Sequence, residues 1–291
     1  MKQWMRVFIA SLLGCGLWAG MAAQAAQIEN FQEYYKQSCD FLTGQSDYDD
    51  WCNGGNAPDK SPTVVMIGDS YSNSASTMLD EYVLTDKSGL VFQQYGHSQC
   101  PELLGYGPAW CSGFAQKVYE HIKKTKSIKT VIMTAAWSQH YLLTGLFKDQ
   151  TPRTRAAFTK AFVETIKAYQ ALGVKVVVMY QTPYIQDPKV CVQRRIQVAQ
   201  TQAKCELPLA QAYGKEEYRQ FFDPTLAELK VEVFDPYVYL CNQAECLLKE
   251  GDKIFHTAGE HLSGFGGQYL ARKGRARLAA LLAPPATPPR R

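Results

Sequence analysis

Four stretches of the chain are apolar and rich in β-branched residues almost without a break: 63–67, 129–134, 174–180 and 231–234, with a weaker one at 90–93. Runs this short and this uniformly apolar predict strands covered on both faces, the pattern of a parallel sheet. Between them the spacing turns helical over 72–84, 113–125 and 155–172, once or twice within 193–229, and over 264–282. Leu270, Leu278, Leu281 and Leu282 form the apolar side of that last helix, and Gly173 stands where the helix before it needs a C-cap. The alternation predicts an α/β fold of three layers with right-handed crossovers. Ligands of such sheets sit outside the carboxyl ends of the strands. No internal repeat interrupts the pattern.

The two ends differ from this middle. Lys2 and Arg6 precede an uncharged, mostly apolar stretch over 7–23, and Ala23-Gln24-Ala25 then offers a small-residue cleavage site. That is the form of a secretory signal peptide over 1–25, which predicts a periplasmic or secreted protein. At roughly 17 residues the run is short for a bilayer span. Leu12-Leu13-Gly14-Cys15 has the look of a lipobox that would put a lipid on Cys15, but apolar residues continue past it through Leu17, Trp18 and Met21 and argue against cleavage there. Residues 26–60 read as a loop-rich lead-in, 61–282 as the main domain, and 283–291 as a proline-rich, disordered tail.

A hydrophobic content of 46% over 291 residues supports one sizeable core. The net charge is only +4, and its clusters, Lys123-Lys124 with Lys126 and Arg272-Lys273 with Arg275 and Arg277, fall on predicted helices as solvated faces. Nothing specific points to nucleic acid as a partner. Of nine cysteines, Cys15 leaves with the signal peptide, and an even set remains. In an exported chain that predicts disulfides. The cysteines fall as four local pairs: Cys39–Cys52, Cys100–Cys111, Cys191–Cys205 and Cys241–Cys246. A zinc site would need a second close Cys or His pair beside Cys241 and Cys246, and the sequence has none; no metal or cofactor is expected.

Chemistry concentrates at Gly68-Asp69-Ser70, which ends the first strand and opens the first helix. A serine there stands at the carboxyl edge of the sheet, with the positive end of a helix available to an oxyanion. Asp69 or Ser70 as a plain helix N-cap is the alternative. A serine nucleophile needs a base within reach. His261, in Glu260-His261-Leu262-Ser263-Gly264 before the last helix, lies in a connection that returns to the same sheet edge. His97, His121, His140 and His256 have weaker contexts, and His121 reads as a surface or packing residue of its helix.

Taken in order, these pieces resemble the SGNH (GDSL) hydrolase superfamily, and more narrowly the exported SGNH domains fused to multi-span sugar O-acyltransferases. Ile67-Gly68-Asp69-Ser70 resembles the nucleophile block, and Ser98-Gln99-Cys100-Pro101 the segment after the second strand. The 131–138 stretch, ending in Trp137-Ser138, resembles the third-strand block. Phe234-Asp235-Pro236 with Cys241 and Cys246 resembles the late strand, and His261-Leu262-Ser263 the base block. The resemblance spans about 60–275. It implies a flavodoxin-like sheet and a serine esterase or acyltransferase, with Ser70 as nucleophile and His261 as general base. The oxyanion hole would combine the Ser70 N–H with a donor from Gly96 to Ser98. Where the family carries an asparagine this chain has Trp137, which would wall the pocket beside Asp69 with an apolar face for a sugar ring or acyl group, and Ser138 is a weaker donor.

One departure stands out. The family's aspartate three residues before the histidine is replaced here by Ala258. Glu260, Asp235 or a backbone carbonyl could orient the ring instead, and loss of an orienting acid costs up to about 10⁴ in rate. The expected activity is therefore an exported O-acyl esterase or O-acetyltransferase of surface carbohydrate, working through acyl-Ser70, with a separate membrane acyltransferase as the expected supplier of the acyl group. The alternative is a catalytically impaired polysaccharide-binding protein on the same fold.

Overall fold

The computed structural model describes residues 50–53, 60–86, 89–142, 145–146, 152–183, 206–213, 217–251, 253–256 and 261–283. Strand β1 is Asp50–Asn53, followed by β2 Val64–Gly68, helix α1 Ser70–Asp86, β3 Phe92–His97, α2 Ala109–Lys124, β4 Thr130–Met133 and the short α3 Trp137–Leu142. Then come α4 Arg155–Ala171, β5 Lys175–Met179, α5 Arg219–Glu228, β6 Glu232–Phe234, α6 Gly264–Lys273 and α7 Arg275–Leu282. These strands form one sheet in the order β1-β3-β2-β4-β5-β6. β2 to β6 run parallel, and β1 adds itself antiparallel to β3. The segment read as a loop-rich lead-in thus contributes an edge strand.

Strand residues alternate between two cores. Val65, Ile67, Val131, Met133, Val176 and Val178 face α2, α4 and α5 through Phe114, Val118, Phe158, Phe162 and Phe222. Val64, Met66, Ile132, Val177 and Met179 face α1, α6 and α7 through Met78, Leu79, Leu270 and Leu278. Both faces of the sheet are covered, which gives the three-layer α/β fold and explains why the strands read as unbroken apolar runs. The order of the five parallel strands reverses at β2, so the end of β2 is the topological switch point where such sheets hold ligands.

Helix α1 is an unusual buried helix, because Ser72, Ser74, Ser76 and Thr77 lie inside. Their hydroxyls bond back to the helix: Ser74 to the Tyr71 carbonyl at 2.9 Å, Ser76 to Asn73 at 2.7 Å and Thr77 to Ser74 at 2.9 Å. The polar groups are satisfied, and the small side chains let a neighbour come close. That neighbour is α6, where a Cβ on Gly267 would stand 1.9 Å from Thr77 Oγ1. The predicted single C-terminal helix is two, α6 and α7, joined at Gly274, whose added Cβ would meet the Phe234 ring at 2.9 Å. Gly173 closes α4 with φ +75°, and its N–H bonds to the Gln170 carbonyl at 2.9 Å.

Two of the predicted disulfides are formed, Cys100–Cys111 and Cys241–Cys246. Cys39, Cys191, Cys205 and the Cys52 side chain lie outside the described residues, as do the signal peptide, Cys15 and the tail beyond Ala283. Among the described residues no helix is long and apolar enough to cross a membrane.

Candidate active site

The turn from β2 into α1 is built for close approach. Gly68 has φ +145°, and a Cβ there would fall 1.7 Å from the Thr134 carbonyl oxygen, so only glycine fits. Asp69 is the N-cap: its Oδ1 accepts from the Tyr71 N–H at 2.8 Å, and its carbonyl accepts from the Ser72 N–H at 2.9 Å. Ser70 is therefore the first residue of a helix of 17 residues. The N-cap is Asp69, and Ser70, the serine expected as nucleophile, is the helical residue that follows it.

His261 reaches this serine from the far end of the chain, with Nε2 2.8 Å from Ser70 Oγ at a sequence separation of 191. The Tyr71 ring stands 5.0 Å from the imidazole. The loop carrying His261 is set by α6: Ser263 caps that helix by accepting from the Gly266 N–H at 3.1 Å, and a Cβ on Gly266 would lie 2.3 Å from the Phe255 carbonyl oxygen. Close packing of α6 on α1 and on residue 255 brings His261 to the first turn of α1.

On the other side, Gly96 pairs in register with Gly68. A Cβ on Gly96 would meet Gln94 Nε2 at 2.5 Å and the Gly68 carbonyl at 2.7 Å. The buried Gln94 donates to Ser72 Oγ at 2.8 Å, and that hydroxyl donates to the Asp69 carbonyl at 2.8 Å. This chain of bonds ties the predicted oxyanion segment to the nucleophile turn. Beyond it His97 Nδ1 meets the Ser98 carbonyl at 2.7 Å, Gln99 takes φ +61°, and Cys100 is bridged to α2.

A sequence profile for the SGNH domain, described as fused to AT3 domains, matches residues 38–273. The chain belongs to this family. Among solved structures, the SGNH chain is similar to the periplasmic domain of a lipopolysaccharide acetyltransferase from Salmonella ser. Paratyphi A, with a TM-score of 0.61 and 16% identity over 75% of this chain and 85% of that one. It is also similar to a putative acylhydrolase from Bacteroides fragilis, with a TM-score of 0.46 and 11% identity over 91% and 98% of the two chains. Est24, a carbohydrate acetylesterase from Sinorhizobium meliloti, gives 0.47 and 16% over 76% and 99%. No curated protein sequence matches. The SGNH family supports acyl-ester chemistry of the esterase or acetyltransferase type for this chain.

Several expected site residues of the SGNH domain stand elsewhere. Trp137 does not wall a pocket: it is fully buried, its Nε1 donates to the Met179 carbonyl at 2.8 Å, and its ring packs on Phe162 and Phe222. An indole anchored at its N–H inside an aromatic core is a packing residue. Ser138 is buried, and its N–H and hydroxyl both donate to Gln181 Oε1, at 3.1 and 2.9 Å, so neither is directed to an oxyanion. Asp235 is held by Arg219 through two bonds of 2.6 and 3.0 Å and accepts from the Tyr237 N–H at 3.0 Å. Its carboxylate is committed to α5 rather than to His261. Glu260 lies outside the described residues. Asp69 lines no pocket either, because it is buried behind the nucleophile.

Sequence reasoning also missed two histidines. His140 places Nε2 2.9 Å from Asp69 Oδ2, which accepts from the Ala136 N–H at 2.9 Å as well. One carboxylate thus clamps the nucleophile turn to the loop after β4 and to α3. Its position in the four residues after Ala136 was the available signal, since the helical turn returns it toward β2. His256 is buried beside the base loop, bridged through its backbone to Leu262. Burial, with the charge of His261 as second cause, pushes its pKa down to about 4. His121 packs as expected, against the Tyr95 ring and hydroxyl.

Proposed function

We propose that the protein is an exported O-acyl esterase or O-acetyltransferase acting on acyl, chiefly acetyl, groups of cell-surface carbohydrate. The observation that carries this reading is the 2.8 Å contact between Ser70 Oγ and His261 Nε2 at the head of α1. In the first half-reaction His261 Nε2 takes the Ser70 hydroxyl proton as Oγ bonds to the acyl carbonyl carbon. The resulting oxyanion is met by the N-terminus of α1 and the segment Gly96 to Ser98. Collapse breaks the ester bond, and the leaving alcohol carries off the proton held by His261. Acyl-Ser70 remains. Water then completes hydrolysis, or a sugar hydroxyl completes transfer, with His261 taking the proton of whichever attacks.

The family's fusion to AT3 domains supports a membrane acyltransferase as a separate partner that supplies the acyl group. The N-terminal signal pattern supports a periplasmic or secreted location. With Asp235 occupied by Arg219, Glu260 or a backbone carbonyl is left to orient His261. Ala258 in place of the family's aspartate favours the second reading, a binding protein that has lost turnover. A serine-reactive fluorophosphonate separates the two. The enzyme reading expects labelling of the wild type, none of Ser70→Ala, and a turnover loss of about 10³-fold or more in both Ser70→Ala and His261→Ala. A folded wild type that takes no label would sink it.

A further inference from the structure

We propose that Trp110 is a carbohydrate platform of this site, an indole face on which a pyranose ring of the glycan stacks while its acyl group lies at Ser70. The inference rests on the proposed carbohydrate substrate and deepens it. Trp110 is the second residue of α2, and it is 39% exposed. Among the described residues, the exposed large apolar side chains are Leu84, Trp110, Val238 and Leu247, and Trp110 is the aromatic one. Its ring lies against that of His97, with centroids 4.6 Å apart and planes 27° from parallel. His97 is itself buried and set edge-on to Phe114 at 5.6 Å.

This stack has a defined place. Gly96 stands opposite Gly68 in the sheet, so the strand ending at His97 and the strand leading into Ser70 finish side by side at the same carboxyl edge, the two strands roughly 5 Å apart. Trp110 is built on the His97 side of that edge. It is also held still, between Pro108 at the helix N-cap and Cys111, whose disulfide returns to Cys100 in the loop after β3. A fixed, half-exposed indole loses little freedom when a ligand covers it.

The surroundings favour a sugar over a lipid. The negative face of an indole matches the polarised C–H bonds on one face of a pyranose, and a flat ring suits a flat partner. Ser98, Gln99 and Ser112 are the polar, solvent-reaching neighbours in sequence on both sides of the stack, as a ring bearing hydroxyls requires. An acyl chain would want a trough of aliphatic side chains, and Leu84 lies at the opposite end of α1 from Ser70. Trp110 thus takes the part that the sequence had given to Trp137.

The test compares two substrates of the full chain: a panel of O-acetylated oligosaccharides from xylan, mannan and pectin, and 4-nitrophenyl acetate, which carries no sugar. Trp110→Ala should lower the preference for oligosaccharide over the small ester by about tenfold, through KM rather than kcat, and Trp110→Tyr should restore most of it. A preference unchanged within about twofold, or a loss equal on both substrates, overturns the proposal. A second measurement needs no turnover. In Ser70→Ala, the indole N–H resonance of Trp110 should shift on titration with the same oligosaccharides, and a resonance that stays put also overturns it. Turnover surviving in Ser70→Ala would instead refute the acyl-serine mechanism and leave the Trp110 shift standing.

Discussion

His256 makes the protein's stability depend on pH in a way that can be worked out in advance. The residue is 2% exposed, and among the described residues neither ring nitrogen has a hydrogen-bond partner. In the unfolded chain it takes a proton near pH 6.5; in the folded protein burial, and then the charge of His261, hold the proton off until about pH 4. Between those values the unfolded state binds more protons, so stability is full above pH 6.5 and drains away as pH falls toward 4. At about 1.4 kcal/mol per pH unit, that window is worth about 3 kcal/mol. His256→Leu removes the titration and the orphan nitrogens together. The variant should match or exceed the wild type at pH 7.5, since a buried unsatisfied polar atom costs about 1–3 kcal/mol. Urea unfolding at pH 7.5 and 4.5, with disulfides intact, measures both proteins. The gap between them should widen by about 2–3 kcal/mol in favour of the variant at the lower pH. Other groups that titrate there, Glu232 with its carboxyl held down by Lys175 among them, act alike in both. Equal losses in the two proteins would show that His256 is not the buried neutral imidazole described.

Trp137→Ala should cost about 3–5 kcal/mol in urea unfolding, because it empties a fully packed aromatic site, and should leave substrate preference where it was; a changed preference with little loss of stability would return Trp137 to the pocket. Asp235→Asn should lower stability by about 1 kcal/mol through the weakened Arg219 pair, with the acid limb of the pH–rate profile unmoved. A shifted limb would connect Asp235 to His261.

The layers, the strand runs and the Gly68-Asp69-Ser70 turn were legible because each is local. An unbroken apolar run such as 129–134 can be satisfied only with both faces covered, and a Gly-Asp-Ser at the end of such a run marks a strand-to-helix turn at the carboxyl edge of the sheet. What escaped depends on which side of an element a residue takes. Trp137 and Trp110 are both tryptophans beside the sheet edge, and nothing in their neighbours distinguishes an indole whose N–H finds the Met179 carbonyl from one laid over His97. His140 meets Asp69 across 71 residues, a pairing set by how β4 docks on β2. Asp235 looked available because Arg219, its partner, stands 16 residues earlier in a different element. The break of the last helix falls at Gly274, where the Phe234 ring leaves no room for a Cβ, a contact across 40 residues that the local sequence does not carry.

The sequence separation of 191 between Ser70 and His261 has a consequence for the order in which the protein comes to life. A growing chain can lay down β2, α1 and most of the sheet long before residue 261 exists. Until α6 seats Gly267 against Thr77, Ser70 is a hydroxyl at a helix start with no imidazole beside it. A nascent or clipped chain without the C-terminal helix would therefore carry Ser70 without its histidine partner, and on the proposed mechanism reactivity would be the last property the molecule acquires.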